Sequence, residues 1–244
     1  MFEECQLPKK LDKSPIKKVV IEIRYKGRYP EQALYGLLMD EWPNIKQTPL
    51  YQLPVELREN DANLKYQTIL EDILRNTDNT KYIFGIGNNV IQFIVLDKYV
   101  SWNDFFFSVK ENLEKLINKN IIEIVDSLSL QYINIFEQNI VENINVQLIV
   151  GSKTIKTSPM SFSCVLKDGD KDISITVGTP VNINGVLNKD KSLMDIRCSR
   201  QIASIDDFKK SYETILASSH NICKKYFVGL IKEDLLKSLG PENE

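Results

Sequence analysis

The octets SWNDFFFS (101–108) and SIDDFKKS (204–211) decide how this chain is read, because they agree at Ser, Asp, Phe and Ser with identical spacing. A serine followed three residues later by an acidic residue, just before an apolar periodic run, marks a helix N-terminus. Its hydroxyl accepts a backbone N–H that the first turn leaves without a partner. From the first octet, Phe105, Val109, Leu113 and Leu116 or Ile117 recur at three and four residues and predict a helix through Lys119. From the second, residues 205–240 predict a long helix broken near Lys224, with Phe208, Tyr212, Ile215, Ser219, Ile222 and Tyr226 as its inward stripe.

Extended runs precede each helix. KVVIEIRY (18–25) sets Val19, Ile21, Ile23 and Tyr25 against Val20, Glu22 and Arg24, the alternation of a strand with one buried face. Pro30 opens a short helix through Trp42, with Ala33, Leu34, Leu37 and Leu38 at helical spacing and Pro43 as its stop. In IKQTPLYQLP (45–54), Pro49 and Pro54 limit an extended run to an edge strand or bulge. Polar Glu56 to Asn63 reads as a loop, and Tyr66 to Leu74 fits either a strand or a helix. KYIFGIG (81–87) and VIQFIVLD (90–97), separated by Asn88-Asn89, predict a hairpin, since asparagine tolerates positive φ.

The second half repeats this grammar. LSLQYINIF (128–136) and INVQLIVG (144–151) read as strands. PMSFSCVLKDG (159–169) and KDISITVGTPV (171–181) pair through Gly169-Asp170, and SLMDIRCSRQIA (192–203) leads into the second octet. The expected architecture is α+β: an N-terminal extension (1–17) and two similar halves (18–122 and 123–244), each of antiparallel strands followed by a long helix. The halves share one curved antiparallel sheet with helices on one face, which leaves the other face open. The alternative to a duplication is that S-x-x-D-F caps helices well wherever it occurs.

Hydrophobic residues make up 43% of the 244 and charged residues 26%, which excludes a disordered chain. A net charge of −2 supplies no global field for nucleic acid or anionic membrane. Lys9, Lys10, Lys13, Lys17 and Lys18 cluster around prolines, diluted by Glu3, Glu4 and Asp12, and read as a solvated terminus. Cys5, Cys164, Cys198 and Cys223 are scattered, with no C-x-x-C pair and a single histidine, so neither a metal nor a cofactor is expected. No apolar run approaches the ~20 residues of a membrane span. The expectation is a soluble cytoplasmic protein with reduced thiols and no membrane partner.

Catalytic constellations are not evident, and no catalytic residue is assigned. Gly85-Ile-Gly87 lies within a hairpin strand and lacks the helix N-terminus that a phosphate loop requires. His220 is the one imidazole base, but Ser218, Ser219, Asn221 and Cys223 share its helix, so it reads as a residue hydrogen-bonded within the fold. Asp206 and Asp207 suit the positive end of a helix dipole.

Two groups remain as candidate binding residues. Phe105, Phe106 and Phe107 run continuously around a helix, so at least one points away from the face of Phe105 and Val109. Trp102, Phe106 and Phe107 are therefore candidate partner-binding residues, with burial on both sides of the helix as the alternative. Arg24, Gln131, Asn134, Arg197 and Arg200 lie on otherwise apolar strands. Arg24, Arg197 and Arg200 are the candidates for an anion or nucleic-acid backbone, against a simply solvated face.

Four segments carry a resemblance: Pro15-Ile16 with VVIEIRY (19–25), LQYINIF (130–136), DIRCSRQ (195–201) and SHNICKKYFVGLIKEDL (219–235). Together they resemble a sporadically distributed bacterial and archaeal family of uncharacterised proteins of about this length. In that family a Tyr-Ile-Asn core is usually flanked by arginines, where this chain has Gln131 and Ile135. The resemblance implies no activity, and its patchy distribution points to mobile loci such as phage defence. The leading expectation is a non-enzymatic binding or assembly protein that engages a protein partner or its own copies. A nucleic-acid or nucleotide-binding protein comes second, and a hydrolase or transferase built on His220 third.

Overall fold

The computed structural model describes residues 7–77, 80–99, 101–155, 159–183 and 185–242. In chain order the elements begin β1 (Lys10–Leu11), β2 (Ile16–Gly27), α1 (Glu31–Met39), β3 (Lys46–Gln47), α2 (Val55–Asn60), β4 (Leu70–Thr77), β5 (Thr80–Ile86), β6 (Val90–Asp97) and α3 (Trp102–Asn118). They continue with β7 (Ile122–Phe136), β8 (Leu148–Val150), β9 (Lys153–Ile155), β10 (Met160–Asp168), β11 (Lys171–Thr179), β12 (Val181–Ile183), β13 (Val186–Asn188) and β14 (Ser192–Gln201). Last come α4 (Ile205–Leu230), α5 (Glu233–Ser238) and β15 (Pro241–Glu242). The fold is α+β, and its large antiparallel sheet has nine strands in the order β10-β11-β14-β7-β2-β6-β5-β4-β3.

The chain divides into two compact units. One comprises Lys18–Leu130 and Ser199–Ala217. Here Val19, Ile21 and Ile23 of β2 are fully buried and Tyr25 nearly so, but the single buried face read from the alternation is corrected: Val20 and Glu22 on the opposite face are buried as well, 6% and 9% exposed. The register puts Ile21 opposite Phe93 and Phe93 opposite Phe84. Phe84 stacks between Phe93 and Trp42, with ring centroids 5.5 and 4.8 Å away. Trp42 comes from the turn after α1 and donates from Nε1 to Asn112 Oδ1 of α3 at 2.8 Å, so the column ends in a satisfied polar contact. Each such large side chain contributes about 2 kcal/mol by leaving water.

The predicted hairpin forms with Gly87 opposite Val90, the Gly87 N–H donating to the Val90 carbonyl at 2.7 Å. Asn120 is the sole non-glycine residue at positive φ among the described residues, so Asn88-Asn89 turns the chain without using that region. Gly85 of β5 and Gly87 just after it answer to crowding. A Cβ on Gly85 would sit 2.6 Å from Thr68 Cγ2, and one on Gly87 would sit 2.4 Å from the Gln67 carbonyl oxygen. Backbone cannot retreat as a side-chain tip can. Gly87→Ala is therefore expected to destabilise by about 2 kcal/mol, checked by urea unfolding.

The other unit comprises Met1–Lys17, Gln131–Cys198 and Ser218–Glu244. Its inward rows are Ile173, Ile175 and Val177 of β11, Met194, Ile196 and Cys198 of β14, and Tyr132, Asn134 and Phe136 of β7, all buried. α4 covers them with Ser219, Cys223, Tyr226 and Phe227, and Phe227 lies parallel to Phe136 at 6.3 Å.

Local expectations are corrected or resolved as follows. Glu56 to Asn63 is not all loop, because α2 occupies Val55–Asn60, anchored where Arg58 reaches Glu31. The ambiguous stretch resolves as strand from Leu70. The second long helix runs unbroken past Lys224 and ends at Leu230. There Asn145 Nδ2 takes the carbonyls of Gly229 and Ile231, and the Lys232 N–H turns to Asn143. Ile222 is only half-buried and Cys223 takes its inward place. The lysine-rich start is solvated as read, with Lys9, Lys10, Lys13 and Lys17 exposed, while its backbone is tied down: β1 pairs with β15, and the Asp12 and Lys13 N–H groups donate to Gly240 and Leu239.

Candidate functional site

The start of α3 is built by Ser101. Its extended backbone (φ −156°, ψ 157°) lets Oγ accept the Asp104 N–H at 3.1 Å, while the hydroxyl donates to Asp104 Oδ2 at 2.8 Å. Ser204 caps α4 in the same way, accepting the Asp207 N–H at 3.1 Å. In each helix the next residue, Phe105 or Phe208, is buried. This fixes the rotation of α3, since successive residues advance about 100° around a helix. Phe105 meets Tyr82 edge-on at 5.8 Å, and Val109, Leu113 and Leu116 follow it inward.

With Phe105 committed to the core, Trp102 and Phe106 fall one turn apart on the flank. They stack in parallel with centroids 5.4 Å apart and an interplanar angle of 16°, both half-buried. Phe107 lies beyond them, 63% exposed. Two of the three candidate aromatics thus stack on each other, and the third is given to solvent. Lys110, one turn on, bridges to Glu213 of α4 at 2.9 Å, a hydrogen bond and charge that raise the Lys110 pKa.

Each arginine candidate has its own strand setting. Arg24 Nε donates to Glu22 Oε1 at 3.0 Å, and its guanidinium lies 3.9 Å above the Tyr66 ring. Glu22 also accepts from Gln92 Nε2 at 3.0 Å. Arg197 belongs to the other compact unit. It neighbours Asp195, which accepts twice from Gln131 Nε2 at 2.9 and 2.7 Å. Burial raises the Asp195 carboxyl, opposed by the Gln131 hydrogen bond and by the charge of Arg197. Arg200 is three residues from Arg197, an odd separation that puts the two on opposite faces of β14. Asn134 faces the covered side, 1% exposed, and donates to the Met194 carbonyl.

His220 is held within the fold, as its helical setting suggests. Tyr132 OH and His220 Nδ1 lie 2.8 Å apart. Burial, then the positive charge of Lys224 one turn away, lowers its pKa to about 4. The imidazole is neutral at pH 7 and shares one hydrogen bond with the phenol. Ser219 bonds Cys198, which also bonds Cys223. These contacts lower the Cys198 thiol, while burial drives Cys223 well up. Neither Cys198 nor Cys223 is joined in a disulfide.

Sequence reasoning missed two features. One is a buried ion pair in which Arg58 Nη2 lies 2.7 Å from both Glu31 carboxylate oxygens. The other is a cleft of about 360 Å³ beside it, lined by Tyr25, Lys26, Tyr29, Glu59 and Asn88 among others. A charge alternating into the inward face of a short helix, as Glu31 does, was the available signal for the first. Among the described residues no three His, Cys, Asp or Glu side chains assemble as a metal site, and no helix is long and apolar enough to cross a membrane. No protein-family model matches the chain, and no curated protein matches it.

Proposed function

We propose that this chain is a non-catalytic binding or assembly protein that engages a protein partner through the first two turns of α3. The observation that carries the reading is Phe107, 63% exposed on the same two helical turns that hold the stacked rings of Trp102 and Phe106. Rigid aromatics with few rotamers are the side chains that contribute most at protein interfaces. The paired states of Arg24 and Asp195 weigh against phosphate recognition as the principal role. The patchy distribution of the family it resembles supports a partner within a phage-defence or stress system.

Phe107→Asp tests this reading. Its side chain is exposed, so the melting temperature is expected to stay within a few degrees of wild type while affinity for a partner co-purified with wild type falls about tenfold or more. A partner retained equally by Phe107→Asp and Trp102→Ala overturns the reading, as does a monomer that recovers no partner.

We also infer that the chain arose from two copies of one strand–helix unit. β2, β4, β5 and β6 lie in the order β2-β6-β5-β4 before α3, and β7, β10, β11 and β14 lie in the order β7-β14-β11-β10 before α4. The matching serine caps add a second, local likeness. An alignment of relatives in which Ser101 and Ser204 fail to share a column when the halves are compared removes this inference.

A further inference from the structure

We propose that β10 is a self-association edge, pairing antiparallel with β10 of a second copy about a two-fold axis. Among the described residues β10 ends the nine-strand order and is bonded on one side only, to β11. That pairing runs through nine residue pairs, Met160 opposite Thr179 to Asp168 opposite Lys171, without a register shift. Its other side offers a straight row of N–H and C=O groups, whose natural complement is another strand. Edges are usually blunted by shortness, proline, bulges or charge. The first seven residues, MSFSCVL (160–166), have none of these. Lys167, the one cation of β10, is already bridged to Asp172 of β11 at 2.6 Å.

Burial across the two strands shows what is missing. Ile173, Ile175 and Val177 on β11 are at most 2% exposed. Directly opposite them on β10, Leu166 is 38% exposed and Cys164 and Phe162 are half-buried. On the other face Val165 is 65% exposed. One further strand beyond β10 covers this row as β10 covers the row of β11.

The occupant that fits is a second β10. The opposite end of the strand order is β3, two residues long and followed closely by Pro49, which disfavours a head-to-tail array and leaves a closed two-fold contact. Antiparallel pairing with Cys164 facing its twin sets Phe162 against Leu166 on the covered face and Ser163 against Val165 on the other. Met160 meets Asp168 and Ser161 meets Lys167, so no like charges stand opposite. This inference does not depend on the α3 aromatics.

The test uses the full chain with Cys5→Ser, which removes a thiol unrelated to β10. Light scattering after size exclusion is expected to give twice the chain mass, and Val165→Lys, a charge on an exposed edge position, is expected to halve it. Opposed Cys164 residues would have Cα atoms about 4.5–5.5 Å apart, within reach of a short bis-maleimide. The cross-linked band is expected to survive Cys198→Ser and disappear with Cys164→Ser. Phe107→Asp is expected to leave the dimer intact, which separates this contact from partner binding. A monomeric mass at the highest attainable concentration overturns the proposal, as does a dimer that is insensitive to Val165→Lys and does not cross-link at Cys164.

Discussion

Arg58→Met is expected to cost about 3–5 kcal/mol of stability, the largest loss from any single substitution considered in this protein. Arg58 and Glu31 are 5% and 8% exposed, and one guanidinium nitrogen reaches both carboxylate oxygens at 2.7 Å. Arg58 Nε also donates to the Leu53 carbonyl at 3.1 Å, holding the chain ahead of α2. Methionine fills much of the same volume but leaves the Glu31 carboxylate without its counter-charge in a site nearly closed to water. That desolvation, more than the lost attraction, sets the magnitude. Replacing both partners, Glu31→Leu with Arg58→Met, is therefore expected to recover most of the loss. Urea unfolding of wild type, the single variant and the double variant closes the cycle. If the double variant is no more stable than Arg58→Met, the stranded-charge account fails.

The second large effect is a pH dependence traced to one side chain. His220 titrates near 4 in the folded chain against an ordinary 6.5. The unfolded chain therefore binds its proton more readily than the folded one. Stability from this group is fully present above pH 6.5 and is lost as pH falls from there towards 4, about 3 kcal/mol in all. Burial supplies most of the effect and Lys224 adds to it. His220→Gln keeps an acceptor for the Tyr132 hydroxyl without the titration, so its stability is expected to fall less steeply across that window. The chain has one histidine, so its imidazole proton resonance reports the pKa without assignment. A midpoint near 6.5 contradicts the expected shift.

Local patterns were legible where the stabilising partners lie within a few residues. The alternation of Val19, Ile21 and Ile23 and the Phe105-Val109-Leu113 spacing each describe one face of one element, and their burial follows. The caps at Ser101 and Ser204 are likewise closed by residues three positions on. The short helix α2 was not legible, because Arg58 bonds Glu31 from 27 positions away. The end of α4 was not legible either, because its last carbonyls are taken by Asn145, more than 80 positions earlier.

The candidate site divides along the same line. Helical geometry alone required one of Phe105, Phe106 and Phe107 to leave the core face. That Phe107 is the one in solvent, with Phe106 turned onto Trp102, depended on Phe105 docking against Tyr82. The arginines show both cases. Glu22 meets Arg24 from two positions away on the same strand, whereas Gln131 reaches Asp195, the neighbour of Arg197, from 64 positions away through strand pairing. By itself the sequence determined the α+β class, the hairpins and both long-helix starts, because periodicity, turns and caps act over a few residues. Only the tertiary structure decided which charges are neutralised, which aromatic is exposed and which strand is left as an edge, because these depend on groups brought together from distant parts of the chain.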